Sequence, residues 1–282
     1  MRFNLILFIA GLVVCLGTVY ADVGERNTTQ KNLTYSGTGG RKLIIDNVFG
    51  SIEVVAYNGS EVQVTVNEHW MAEDSGRMQD ARNEVKLDIS QQGNVVRFYA
   101  DGPFRCRYGD CEGSRRRRDY RVVFDFHVRV PADAELDLRT VNGGHVRAEN
   151  SNADFIVHNV NGGIELREMA GSGEAITVNG GVDVTFRENP RTPSTFRSVN
   201  GTLAVSFRPN LSADFHCKTM NGGIYTDFEA SATPMQSVTS ERQGTKYVYR
   251  SNGFSSIRIG GTGGPIHKFD TLNGSIRIIK RG

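Results

Sequence analysis

The sequence predicts an all-β chain wound as a parallel solenoid of about 18–21 residues per coil. Three observations predict it. A short motif built on Asn-Gly recurs through the second half, apolar residues recur at fixed offsets from it, and glycine is abundant where proline is scarce. Glycine makes up 32 of 282 residues, about 11% against a usual level near 7%, beside only 7 prolines. That balance places the glycines in turns of an ordered chain rather than in a Pro/Gly-rich linker. Lys and Arg number 33 against 31 Asp and Glu, a formal net charge of +2. Such a balance excludes a chain-wide basic field for nucleic acid and an acidic disordered tail.

Residues 1–21 read as an export signal peptide. Arg2 supplies the positive start, Leu5 to Leu16 an apolar run broken only by Gly11, and Val19-Tyr20-Ala21 a cleavage site. The run is short against the roughly 20 residues of a bilayer span; an uncleaved anchor is the alternative. Val14 is too large to precede a lipidated cysteine, which argues against lipidation at Cys15. The remaining chain is expected to be exported (periplasmic, cell-surface or secreted) with no membrane span. Residues 22–40 are polar and read as a flexible lead. A single β-solenoid domain then covers 41–282, irregular over 41–130 and built of repeat coils over 131–282.

In the irregular part, Lys42–Ala56 and Ser60–Glu68 alternate as strands do. Ala72–Glu84 is rich in helix formers and reads as one short helix. Val85–Ser90 and Asn94–Ala100 flank Gln-Gln-Gly as a hairpin, and Tyr120–Val130 is a strand stopped by Pro131. Between them lies the loop 101–119, with Cys106 and Cys111 five residues apart. In an oxidising compartment two close cysteines pair, and no further Cys or His stands at metal-ligand spacing. A disulfide is expected there, and no metal.

The repeat is the strongest signal. Asn142, Asn161, Asn179, Asn200, Asn221 and Asn273 each precede a glycine, at spacings of 19, 18, 21, 21 and 52. Asn47 to Ser51 is a degenerate early copy with Phe49 in place of the Asn. Three residues after the motif position stand Ile52, Ile164, Val182, Leu203, Ile224 and Ile276; four before it stand Leu138, Val157, Ala175, Phe196, Cys217 and Phe269. Two before it come Thr140, Asn159, Thr177, Ser198, Thr219 and Thr271, all small and hydrogen-bonding. Each unit is therefore strand, Asn-Gly corner, strand. Identical offsets favour parallel in-register stacking over an antiparallel meander, with the six Asn forming an inward-facing structural ladder. The first full unit is out of register by one residue, and a bulge at Gly143-Gly144 repairs it. Cys217 falls in a core column and reads as a buried small hydrophobe. The 52-residue gap holds a protruding loop over Phe228–Gly244 and strands around Tyr247–Arg250 and Ile257–Ile259.

Lys42 to Val54, Val128-Arg129-Val130-Pro131-Ala132 and the Asn-Gly units from Asn142 to Asn273 resemble a bacterial family of exported adhesin-like proteins of unknown function. The chain also looks related to the "head GIN" autotransporter adhesin domain. The resemblance covers about residues 41–282 and implies a right-handed β-helix-like solenoid. Its motifs are turns and core columns, so it implies fold and says little of chemistry.

No nucleotide, zinc-protease or nucleophile motif is present, and no catalytic residue or cofactor is expected. Glu165 and Asp183 share an offset, but the column then continues with Ala204 and Tyr225, so they read as solvated charges. The sharpest local feature is basic: Arg105, Arg107, Arg115, Arg116, Arg117, Arg118 and Arg121 face only three acids between residues 105 and 121. A disulfide-closed basic loop suits anionic groups through bidentate guanidinium contacts; a solvated loop that keeps a sheet edge soluble is the other reading. The sequence thus points to a non-catalytic, adhesin-like surface or envelope interaction protein. Its expected partner is a protein or an anionic glycan surface, not nucleic acid. An enzyme or lectin acting on acidic polysaccharide is the alternative.

Overall fold

Twenty-three strands and one helix follow one another along the computed structural model, which describes residues 23–105, 119–232, 239–243, 246–250, 254–261 and 263–282. The expected signal peptide and the cysteine pair lie outside those residues. The N-terminal part holds β1 (Val23–Thr34), β2 (Lys42–Asp46), β3 (Ile52–Tyr57), β4 (Glu61–Ala72), α1 (Ser75–Glu84), β5 (Lys86–Gln92), β6 (Val95–Asp101) and β7 (Tyr120–Pro131). Strand pairs follow, each joined by an Asn-Gly corner, the first of which is one residue longer. They are β8 (Glu135–Arg139) with β9 (Val146–Glu149), β10 (Phe155–His158) with β11 (Ile164–Met169), and β12 (Gly173–Asn179) with β13 (Val182–Phe186). Next come β14 (Thr195–Asn200) with β15 (Leu203–Phe207), and β16 (Ala213–Asn221) with β17 (Ile224–Thr226). An excursion through β18 (Ala230–Ala232), β19 (Thr239–Gln243), β20 (Lys246–Arg250) and β21 (Phe254–Ile259) leads to the last pair, β22 (Ile266–Asn273) and β23 (Ile276–Lys280).

The first member of every pair enters an eleven-stranded sheet, ordered β18-β21-β16-β22-β14-β12-β10-β8-β2-β6-β5, and the second a ten-stranded sheet, ordered β1-β4-β7-β3-β9-β11-β13-β15-β23-β17. Neighbouring pairs lie parallel and in register: Val157 pairs with Leu138 and Ala175, and Val182 with Ile164 and Leu203. Both sheets are mixed, because β1, β4 and β7 run antiparallel at one end and β5, β18 and β21 add antiparallel edges to the other sheet. Alternation fixes which side is buried. Leu138, Val157, Ala175, Phe196, Phe269 and Cys217 from one sheet share a core with Val146, Ile164, Val182, Leu203 and Ile276 from the other. At the corner of the first unit, Asn142 pairs with Asn161 while Val146 pairs with Ile164. One residue is therefore extra, and Gly143 at φ +78° accommodates it.

Four expectations are corrected. Residues 22–40 are not a loose lead: β1 pairs with β4 along twelve residues. Its faces are both polar, so no alternation announced it; a full backbone ladder, with Thr29 Oγ1 donating to Glu68 at 2.8 Å, orders it instead. The helix begins at Ser75 rather than Ala72, because Asp74 caps it by accepting from the Arg77 N–H at 2.8 Å. Residues 228–244 are not simply a loop: β18 pairs with β21, and β19 pairs with β20 as a small hairpin. Finally, the strand pairs, called coils below, do not stack in chain order. β22 and β23 lie between the β14/β15 pair and the β16/β17 pair.

Candidate functional site

The corners between the two sheets build a regular surface. Asn161 Nδ2 donates to Asn142 Oδ1 at 2.7 Å, Asn179 to Asn161 at 2.8 Å and Asn200 to Asn179 at 2.8 Å. Asn273 then donates to Asn200 at 2.8 Å, and Asn221 to Asn273 at 2.7 Å. All six predicted amides thus stand in one row, but the row faces outward rather than inward: five are exposed and Asn142 is half-buried. The chain bends at the Asn-Gly step, which leaves the Asn on the outer rim. The buried hydrogen-bonding task falls to the residue two before it.

That second row is regular too. Thr140 donates to Gly50 O at 2.9 Å, Asn159 to Gly144 O at 3.0 Å and Thr177 to Gly162 O at 2.8 Å. Ser198 donates to Gly180 O at 2.8 Å, Thr271 to Gly201 O at 3.0 Å and Thr219 to Gly274 O at 2.8 Å. The same carbonyls explain the glycines. A Cβ on Gly162, Gly201, Gly274 or Gly222 would lie 1.9–2.0 Å from the glycine carbonyl oxygen of the adjacent coil. Asn-Gly here serves close packing between coils as much as a turn.

Four interior amides of the row (Asn161, Asn179, Asn200 and Asn273) each use one N–H and one acceptor within it, so each keeps one N–H and one lone pair for a partner. Beside them run Val141, Val160, Val178, Val199, Leu272 and Met220. The first three are half-buried, whereas Val199, Leu272 and Met220 are 39%, 40% and 70% exposed. The face therefore grows more apolar toward the β16/β17 end.

The predicted basic site fares differently. Arg105 is held: its Nε donates to Ala100 O at 2.5 Å, and its Nη atoms reach Asp46 O at 2.7 Å and Asp46 Oδ1 at 3.1 Å. The guanidinium also lies 4.1 Å from the Tyr99 ring centre. Arg105 is a strap between β2 and β6, its charge already compensated, and it is removed from the anion-binding set. Arg107, Arg115, Arg116, Arg117, Arg118, Cys106 and Cys111 lie outside the described residues.

Glu165 and Asp183 do pair in register, but the column continues Ala204, Arg277, Tyr225 because β23 intervenes. Partial desolvation raises the Glu165 carboxyl, yet hydrogen bonds from Arg147 at 2.6 Å and Arg167 at 2.6 Å outweigh it and hold it below the ordinary carboxylate range. The protein packed around Asp183 and the Glu165 carboxylate push the Asp183 carboxyl up. Sequence spacing missed one cluster: β7 and the β9 corner bring His127 Nδ1 and His145 Nε2 within 3.1 and 3.0 Å of the two Glu53 oxygens. Among the described residues no group of three or more His, Cys, Asp or Glu is arranged to hold a metal ion.

No family model matches this chain, and no curated protein matches it. Solved structures do. A provisionally assigned cell adhesion protein from Clostridium sporogenes matches with a TM-score of 0.42 and 10% identity, over 90% of this chain and 100% of that one. A provisionally assigned adhesin from Bacteroides fragilis matches with a TM-score of 0.37 and 9% identity, over 90% and 97%. A provisionally assigned lipid binding protein from Parabacteroides distasonis matches with a TM-score of 0.30 and 12% identity, over 91% and 97%. Scores of this size assign neither family nor function.

Proposed function

We propose that this chain is an exported, non-catalytic β-solenoid that holds an extended partner, a protein or an anionic glycan surface, in the manner of an adhesin. The solenoid is read as right-handed, following the general rule for parallel crossovers. One observation carries the reading: the outward-facing row of six amides, spaced one coil apart and flanked by an aliphatic row that ends in Leu272 and Met220. A periodic face offers donors and acceptors at about the 4.8 Å strand spacing, which suits a polymer or a surface better than a small molecule. The involvement of Glu165 with two guanidiniums weighs against a paired-carboxylate hydrolase.

The test uses the mature chain on peptidoglycan, chitin, cellulose, collagen and fibronectin. Leu272→Glu/Met220→Glu changes only exposed side chains. Retention on at least one surface, lost in that variant at an unchanged melting temperature, supports the reading. Retention on none, or retention that the variant leaves intact, removes it.

A further inference from the structure

A second surface feature lies at the opposite turns, where the chain passes from β13 to β14 and from β15 to β16. Residues 187–191 form the first of these turns and residues 208–210 the second. Asn189 staples them together: its Oδ1 accepts from the Arg208 N–H at 2.8 Å, and its Nδ2 donates to Arg208 O and Asn210 Oδ1, each at 3.2 Å. Pro190 is buried and Pro209 follows Arg208, so proline stiffens both turns. Together they wall an open cleft of about 560 Å³ lined by Arg187, Arg191 and Arg208, with Glu188 as its one acid.

Positive charge is in excess in this cleft. Elsewhere on the coils most arginines pair with acids: Arg139 with Asp137, Arg147 and Arg167 with Glu165, Arg197 with Asp270, Arg258 with Asp214, Arg281 with Glu168. Arg187 instead donates to the neutral Asn152 amide oxygen. Among the described residues Arg191 and Arg208 have no ion-pair partner. Three guanidiniums against one carboxylate leave the cleft at +2.

We propose that this cleft binds the carboxylate or sulfate groups of an acidic polysaccharide. Guanidinium matches planar or tetrahedral oxyanions with paired hydrogen bonds, and it stays charged at any physiological pH. The lining includes no aromatic face on which a nucleic-acid base could stack. It has no aliphatic rim of the sort that enters a lipid surface. A sugar chain carrying acid groups fits what remains. The inference rests on the export reading only for access to such polymers, and not on the amide face.

The experiment measures binding to polygalacturonate, which carries carboxylates, and to dextran sulfate, with neutral dextran and anionic phospholipid vesicles as comparison arms. The wild type is expected to bind at least one acidic polymer at low salt, more weakly as salt screens the contact. Arg191→Glu/Arg208→Glu should weaken it about tenfold or more, with the melting temperature retained. Arg191→Lys/Arg208→Lys should keep part of the affinity. Leu272→Glu/Met220→Glu should leave this binding intact, which separates its failure from that of the amide-face reading. Three results overturn the proposal: no binding to either polymer, binding unchanged by charge reversal in the cleft, or loss only on Arg115–Arg118→Ser. Binding to vesicles alone overturns it in favour of a lipid surface.

Discussion

Alanine at Gly162 should be far more damaging than alanine at Gly163, one residue later. A Cβ on Gly162 would lie 2.0 Å from Gly144 O, whereas at Gly163 the nearest atom is Gly181 O at 3.5 Å, an ordinary contact. Neither glycine has positive φ, so the difference is steric rather than torsional. To relieve the clash at Gly162 the coils must part by at least 1 Å, since contacts under 3.0 Å do not occur. Parting them lengthens the Asn159–Gly144 hydrogen bond from 3.0 Å beyond bonding range. A carbonyl left unsatisfied costs about 1–3 kcal/mol, and overpacking about 1–3 kcal/mol more. The sum is roughly 4 kcal/mol, which at about 2–4 °C per kcal/mol lowers the melting temperature by about 8–16 °C. Gly163→Ala should fall within about 1 kcal/mol of wild type, helped by a stiffer unfolded chain. Thermal and urea melts followed by far-UV circular dichroism measure both. The same contrast should recur with Gly201→Ala, whose Cβ would meet Gly180 O at 1.9 Å. Equal melting temperatures for Gly162→Ala, Gly163→Ala and wild type would refute the close-packed corner.

Three further outcomes are expected. Burial between Phe207 and Phe215 pushes the His267 imidazole down to about 4, so it contributes stability above its unfolded value of 6.5 that is lost as pH falls through 4. That limb is worth about 3 kcal/mol, and His267→Phe should flatten it in urea melts between those pH values; an unchanged slope contradicts the assignment. Burial pushes the Cys217 thiol up to about 12, so iodoacetamide at neutral pH should label it only in denaturant. Labelling of the native thiol at the denatured rate contradicts its place in the core. Deleting residues 266–282 removes the coil between β14/β15 and β16/β17 and should abolish the cooperative melt, whereas deleting 23–34, an edge strand with one neighbour, should only lower it. Comparable effects of the two deletions would contradict the inserted coil.

The coil register was legible in the sequence because it is a local property. Offsets from the Asn put Ile164, Val182, Leu203 and Ile276 in one buried column, and the extra residue at Gly143 showed as a slip in that pattern. Stacking order was not legible. Every coil presents the same columns, so Phe269 packs 5.0 Å from Phe196 and 5.9 Å from Phe215 as readily as any neighbour in chain order would. β1 was hidden because its order comes from pairing rather than from an apolar face. The basic run suggested a site that included Arg105, yet its partner Asp46 stands 59 residues earlier and only the β2–β6 pairing brings them together. The cleft at Arg187, Arg191 and Arg208 was missed for the same reason: its arginines come from two turns one coil apart, with no run to mark them.

Cross-linking in the amide row tests the stacked-coil account most directly. Asn200 and Asn273 are paired neighbours, as are Asn221 and Asn273, whereas Asn200 and Asn221 are separated by a full coil. Adjacent parallel strands stand about 4.8 Å apart, within the roughly 4.4–6.8 Å Cα range that a disulfide spans. Two coils, at about twice that spacing, exceed it. Under mild oxidation, with products mapped by mass spectrometry, Asn200→Cys/Asn273→Cys should close fully and Asn200→Cys/Asn221→Cys should not. Closure of the Asn200–Asn221 pair, with Asn200–Asn273 left open, would place the coils in chain order and contradict the stacking seen in the amide row.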